Sequence, residues 1–493
     1  MPIPKQTYDC IVITDQTTGL LAASLLSRRG YRTAVFTSQD TTFSKAKNDW
    51  YAPNEPTCIP FIANATRAHA VLKRLELAPP ILRESSSRVQ LLWPKKRLDF
   101  HHQQNEESRR EFKRVFGTGA PRLEKTVHAI KQLDLEIDHF LNRTDSVHPR
   151  NYWQHWGLKR KTNKDFQSIQ SSAEALCKSL DNQSPNIHRA LKELVRNNIN
   201  PNTPDGAVAL IRGLSTLLQL GGNVPLLQQE TLISQLLVRA REVGIPISPL
   251  SEVSLIEGSF GRVKHLRLKD DTYLKARVVV LDSRDPQDLL PHENAKRLNI
   301  AQSQKHQNQP FGHLHLIVKN FVIPVGLSNH FFIPSNNDLK APILGFKTQA
   351  EKVSDTPNSL NQIDGYSRLT LIRQLKNGDE KSDKAKAKWT EQIITDLKTL
   401  IPFLDDGLEA VLADKITFKN KPNYHFRSTD PLETLLGHPC QSFKTRWRNL
   451  WTTYRRDLFS LGLEGQVLTA EALAHQISIQ YPLKVRARKA LKS

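Results

Sequence analysis

The chain has 493 residues, 38% hydrophobic and 24% charged, and its 70 lysines and arginines exceed 49 acidic residues to give a net charge of +21. That length supports large buried cores in roughly three domains, and the apolar content excludes a disordered chain. No apolar run approaches the roughly 20 residues needed to cross a bilayer, and the opening "MPIPKQTYDC" lacks the apolar core of an export signal, which points to the cytoplasm. Cys10, Cys58, Cys177 and Cys440 stand far apart with no CxxC pair, as expected of a reducing compartment without structural zinc.

In chain order, Tyr8–Thr14 reads as a strand, Thr18–Arg29 as an apolar helix stopped by Gly30, and Arg32–Phe36 as a second strand. A unit of this length predicts a right-handed parallel crossover. A helix follows over 66–76, and "SRVQLLWPKKRLDF" (87–100) reads as a hairpin turning at Pro94–Lys95. Helices are expected at 105–117, 121–142, 167–180, 186–197 and 205–220. Gly221–Gly222 then introduce a helix over 227–243, followed by strands near 246–256, 262–269 and 276–282. "ARVVVLDS" is apolar enough for a strand buried in a parallel sheet. Residues 312–333 and 341–347 read as antiparallel strands, 376–388 as a solvated connector, 389–400 as a helix, and 462–477 as a glycine turn plus helix. Three α/β pieces separated by helices and antiparallel strands suit one nucleotide-binding domain interrupted by a second.

Three segments carry a resemblance: Tyr8–Thr37, the stretch from Leu220 through "ARVVVLDSRDP", and "NLWTTYRRDLFSLGLEGQVLTAEALAHQI". Their order and spacing resemble the FAD-dependent oxidoreductases that include phytoene desaturases, other carotenoid desaturases and amine oxidases. The resemblance implies an α/β fold with an α+β second domain: a Rossmann-like FAD/NAD(P)-binding domain, discontinuous in sequence, with an inserted antiparallel-sheet and helix domain for substrate. The parts it implies are 1–80, 216–290 and 431–480 for the cofactor domain, 81–215 and 291–430 for the substrate domain, and 481–493 as a basic tail.

The departures from the family pattern fall on the cofactor. The G-x-G-x-x-G of the family lands on Thr14, Gln16 and Gly19, and its ribose-binding Glu on Thr37. Gln16 places a side chain where backbone would approach a pyrophosphate, and only the glycine that serves helix–strand packing remains. In the C-terminal motif Asn449, Leu450 and Trp451 match the start and Gly462 and Gly465 the end, while Tyr454, Arg456, Phe459 and Ser460 replace the glycines and proline between. The candidate cofactor-binding positions are therefore Thr14, Gln16, Gly19, Thr37, Gly462 and Gly465, with Arg455 and Arg456 as a candidate anion site.

Two functions follow. One is a non-catalytic binding or scaffolding protein, as Rab GDP-dissociation inhibitors are on a similar fold. The other is an active FAD-dependent oxidoreductase acting on a hydrophobic or amine substrate. The charge excess draws acidic proteins, nucleic acid or an anionic membrane surface, with clusters at 94–97, 158–161, 446–456 and 484–493 but no nucleic-acid motif. Trp447, Trp451 and Tyr454 among Arg446, Arg448, Arg455 and Arg456 either stack on a ligand or pack in the core. His313 and His315 alternate on one strand face without a third ligand, so no metal site is expected, and His101–His102 read as surface.

Overall fold

The computed structural model describes residues 7–14, 16–37, 50–51, 65–77, 89–93, 96–100, 106–143, 152–183, 188–194, 207–219, 229–282, 289–290, 309–335, 342–353, 360–374, 382–412, 419–421, 442–453, 458 and 461–483. The turn at Pro94–Lys95, His101–His102 and Gly221–Gly222 lie outside them.

The first strand, β1 (Thr7–Thr14), runs through α1 (Thr17–Arg28) into β2 (Thr33–Thr37), and the two strands pair in parallel. The helix ends where the sequence places its stop: Gly30 adopts φ +88° and its N–H donates to Ser27 O at 2.8 Å. On the other side of β1 lies β8 (Tyr273–Asp282), also parallel, and β15 (Leu450–Thr452) pairs in parallel with β8. The short β5 (Ile247–Pro249) extends the sheet beyond β2, while β6 (Val253–Ser259) and β7 (Arg262–Leu268) form an antiparallel meander leading into β8.

A strand covered on both faces needs apolar residues at every position rather than every second one. In β8 Val278–Leu281 have no exposed surface, nor do Cys10–Ile13 in β1. Cys10, Val12, Val278, Val280 and Trp451 pack with residues of α1, α2 (Thr66–Arg74), α7 (Gln229–Glu242) and α9 (Gly462–Gln480). Ile11, Ile13, Val279, Leu281 and Leu450 pack in a second cluster with the meander residues Val253, Ile256, Val263 and Leu266.

The second sheet is antiparallel at its centre, in the order β13 (Leu408–Val411), β9 (Gln309–Lys319), β12 (Leu360–Gln374), β11 (Ile343–Val353), β10 (His330–Ile333), β3 (Val89–Trp93) and β4 (Lys96–Asp99), with β14 (Lys419–Lys421) also on β9. Leu314, Leu316, Phe331 and Leu369 pack with Trp389, Ile393 and Leu397 of α8 (Asp383–Lys398). Phe332, Leu344, Phe346, Val89 and Leu91 join a core built with α3 (Glu106–Phe116), α4 (Ala120–Arg143), α5 (Tyr152–Gln183) and α6 (Ala207–Gln219). The chain thus feeds the parallel sheet from three separate stretches and builds the antiparallel sheet from residues between them: the expected α/β fold with an inserted α+β unit.

Three local expectations need correction. α8 begins at Asp383, inside the stretch read as a connector, because Ser382 Oγ accepts the Ala385 N–H and caps it. α5 spans 32 residues, starting well before 167; the polar and basic run "GLKRKTNKD" in its first half carries no plain apolar period. β12 was not expected, because "LNQIDGYSR" is polar until the strand reaches the buried Leu369 and Leu371.

Candidate functional site

In an open parallel sheet the ligand crevice lies beyond the carboxyl ends of the strands, where neighbouring connections diverge. Here β1 ends on Thr14, β2 on Thr37 and β8 on Asp282, and Thr14 is in register with both of the others. Thr453 follows directly on β15. All four side chains are buried, Thr14, Asp282 and Thr453 completely.

Asp282 organises this end of the sheet. Its Oδ2 accepts the Gly19 N–H at 2.6 Å and the Thr14 hydroxyl at 2.8 Å, and its Oδ1 accepts the Thr453 hydroxyl. Gly19 is the third residue of α1, so its amide is one that the helix itself leaves unpaired. Gln16 N–H donates to Thr14 Oγ1 at 2.9 Å, and Gln16 itself makes no side-chain cap to the helix. A carboxylate from a strand 263 residues away along the chain therefore caps the helix. The approach is close: a Cβ on Gly19 would lie 2.5 Å from Thr14 Cβ and 2.6 Å from Asp282 Oδ2. The Thr17 and Thr18 hydroxyls, in the first turn of α1, are buried and have no hydrogen-bond partner among the described residues.

The C-terminal segment meets the N-terminal one at the same carboxylate, through Thr453. Beyond it, Leu458 lays its backbone carbonyl on the first turn of α9, where a Cβ on Gly465 would collide with it. Asn449 is buried and clamps β7, accepting from Val263 N–H at 2.8 Å and donating to Val263 O at 3.1 Å. Trp447 and Trp451 are core residues, Trp447 lying on Gly258 and Trp451 fully buried. Of the predicted positions, Thr14, Gln16 and Gly19 come together, Thr37 is the register partner of Thr14, and Gly462 and Gly465 open α9. Tyr454, Arg455 and Arg456 lie outside the described residues. Asp282 was missed. Its signal was a lone acidic residue closing the apolar run "VVVLD".

A second buried polar cluster sits at the same turn of α9. Arg212 of α6 donates from Nη2 to Glu464 Oε1 at 2.6 Å, from Nε to Glu464 Oε2 at 3.1 Å, and from Nη1 to Asp134 Oδ1 at 2.6 Å; Asp138 Oδ1 lies 3.4 Å from Nη2. Burial alone would lower the guanidinium pKa, but the Glu464 and Asp134 charges and hydrogen bonds outweigh it and hold Arg212 charged. Burial pushes the Glu464 carboxyl up to about 7, against the opposing pull of Arg212. The cluster ties α4 and α6 of the inserted helices to the helix that closes the parallel sheet.

His313 and His315 share a strand and are buried, with His315 Nδ1 2.9 Å from Thr370 Oγ1. His330 is buried against Phe346, ring centroids 4.8 Å apart, and burial lowers its pKa to about 3, so it is neutral. Among the described residues no group of three or more His, Cys, Asp or Glu could hold a metal.

Comparison with known structures bears on this geometry. An oxidoreductase from Methanosarcina mazei matches with TM-score 0.55 at 14% identity, covering 95% of this chain and 100% of that one. Putrescine oxidase with a redesigned cofactor site matches with TM-score 0.53 at 14% identity, over 97% of this chain and 100% of that one. The fold is that of FAD-dependent oxidoreductases of the amine oxidase type. A Pyrococcus furiosus protein also matches with TM-score 0.53 at 14% identity, over 95% of this chain and 97% of that one. No family model and no curated protein matches the sequence. Among the described residues no helix is long and apolar enough to cross a membrane.

Proposed function

We propose that this chain uses the flavoenzyme fold as a non-catalytic binding or scaffolding protein. The observation carrying this is the Asp282 carboxylate seated on the Gly19 amide. A helix N-terminus is a ready anion site because its first amides point outward unpaired. At α1 one of those amides is already committed to an anion built into the chain, and two hydroxyls hold that anion in place. A diphosphate brought to the same turn would also meet the carboxylate's charge, costing about 3 kcal/mol per charge at roughly 5 Å and an effective dielectric of about 20. At the other motif Gly465 contacts Leu458 rather than leaving an open face. Gly19 and Gly465 both serve contacts within the chain, which supports a reading in which the described residues do not hold a flavin dinucleotide.

One observation favours the second reading, an active FAD-dependent oxidoreductase acting on a hydrophobic or amine substrate. The buried hydroxyls of Thr17 and Thr18 have no partner among the described residues, and a polar ligand at the turn would supply one. A match with putrescine oxidase bound to putrescine, TM-score 0.52, makes an amine the substrate class for that reading. The visible absorption of the purified chain separates the two. A colourless protein that does not retain added FAD through gel filtration supports the binding-protein reading; a co-eluting flavin band overturns it.

A further inference from the structure

The hairpin joining β6 to β7 carries an aromatic ring that the fold does not use. Phe260 and Gly261 turn the chain at φ +52° and +69°, the left-handed backbone that a two-residue hairpin favours with asparagine or glycine. A phenylalanine is strained there, yet Phe260 is 99% exposed and adds nothing to the core. Farther along the meander Val263, Leu266, Leu268 and Leu274 turn into the core. The register sets Glu257 beside His265 and Arg267 beside Tyr273 on the outer face. Tyr273 is 51% exposed there and meets the His265 ring edge-on, centroids 4.6 Å apart.

Cations gather around the turn. Arg262 and Lys264 of β7 are exposed. The segment before β15 adds two more: the Arg448 N–H donates to Gly261 O at 2.8 Å and Trp447 packs on Gly258, which sets the exposed Arg446 and Arg448 beside the hairpin. Among the described residues none of these four side chains has an ionic partner. The carboxylate on the facing strand, Glu257, is held by His265 at 2.8 Å. Elsewhere on the surface arginines are paired, Arg267 with Asp271 at 2.6 Å and Arg239 with Glu242 at 2.7 Å.

From these exposed rings and unpaired cations we infer that the outer face of the β6–β7–β8 meander binds single-stranded nucleic acid. An exposed ring stacks on a base whose face is free, and cations alongside it neutralise the backbone phosphates. Phe260 and Tyr273 give two such platforms, roughly 20 Å apart at 3.3 Å of strand rise per residue. The planar guanidiniums of Arg262, Arg446 and Arg448 match phosphate oxygens in pairs, and Lys264 adds a point charge. A bilayer rewards apolar area, and the turn offers it a single ring between Ser259 and Gly261. An acidic protein segment would use the cations and leave the rings idle. The inference stands whether or not a flavin is held.

The test uses the full chain and a fluorescein-labelled oligothymidine, read by anisotropy across a salt series. Binding whose logarithm falls linearly with log salt is expected, with a duplex of the same length competing less well. Arg262→Gln/Lys264→Gln/Arg446→Gln/Arg448→Gln flattens that slope by about 3, at about 0.7 per phosphate contact on a single strand. Phe260→Asn suits the left-handed turn, so it keeps the melting temperature while weakening binding roughly tenfold through the lost stack. Absence of binding by the unmodified chain at low salt overturns the inference. So does an unchanged slope in a quadruple variant with native circular dichroism, or unchanged affinity in Phe260→Asn. Sedimentation with phosphatidylserine vesicles by a chain that ignores the oligonucleotide overturns it as well.

Discussion

The Asp282 carboxylate accepts the backbone N–H of Gly19 at 2.6 Å, joining the end of β8 to the first turn of α1. This one contact explains why a glycine persists at position 19 when the other two glycine positions hold Thr14 and Gln16. The close approach is made by the protein's own side chains, and it needs the same absence of a Cβ that a bound cofactor would.

Substitutions at this contact act on stability. Gly19→Ala places a methyl 2.5 Å from Thr14 Cβ and 2.6 Å from Asp282 Oδ2, so it costs about 1–3 kcal/mol of strain. Asp282→Ala strips the acceptor from the buried Gly19 amide and Thr453 hydroxyl, while Thr14 Oγ1 still reaches Gln16 O, and costs about 3 kcal/mol. Asp282→Asn keeps one acceptor oxygen and falls between Asp282→Ala and the unmodified chain. Urea unfolding midpoints of the three variants check this order.

The Arg212 cluster makes stability depend on pH in a specific direction. Glu464 titrates at about 7 when folded, above its ordinary value of 4.5, so the folded chain holds a proton that the unfolded chain has released across that window. Its contribution is complete below about pH 4.5 and is lost as pH rises toward 7, a decline on the order of 2–3 kcal/mol. Glu464→Gln removes that decline while keeping a hydrogen-bonding group beside Arg212. Unfolding free energies at about pH 5 and about pH 7.5 measure it; an equal slope in both proteins contradicts the assignment.

Removing the cation is more damaging than neutralising one of its partners. Arg212→Leu leaves Asp134, Asp138 and Glu464 facing one another in the core and costs about 3–5 kcal/mol. Chemical denaturation at neutral pH gives the value, and partial recovery at lower pH, where the carboxyls protonate, identifies the cause.

At the other motif, Gly465→Ala drives a methyl into the Leu458 carbonyl, which is backbone and cannot rotate aside. The expected loss is about 3 kcal/mol, larger than for the same change at the exposed Gly119, which has open space around it. Comparing the two variants' melting temperatures checks it.

Much of the fold was legible because burial on both faces leaves a plain signature. "CIVI" and "VVVL" are unbroken apolar runs, and Gly30 marks the end of α1. The degenerate cofactor motif was legible as missing glycines at 14 and 16. The contacts made at that turn were not, because Asp282 and Thr453 approach Gly19 only through the sheet's parallel register, across separations that no local pattern encodes. Arg212 was invisible for the same reason: its partners lie on α4 and α9, 78 and 252 residues away. Trp451 read equally well as a stacking platform or as core, and only its burial between β8 and the helices decides for core.

The central claim, that the chain's own carboxylate takes the anion position of the flavoenzyme fold, is tested most directly by flavin binding to the intact protein. The chain is purified, incubated with excess FAD, passed through gel filtration and scanned in the visible range. A colourless protein with no retained flavin is expected. A flavin band that co-elutes with the unmodified chain and weakens in Thr17→Val/Thr18→Val would contradict it.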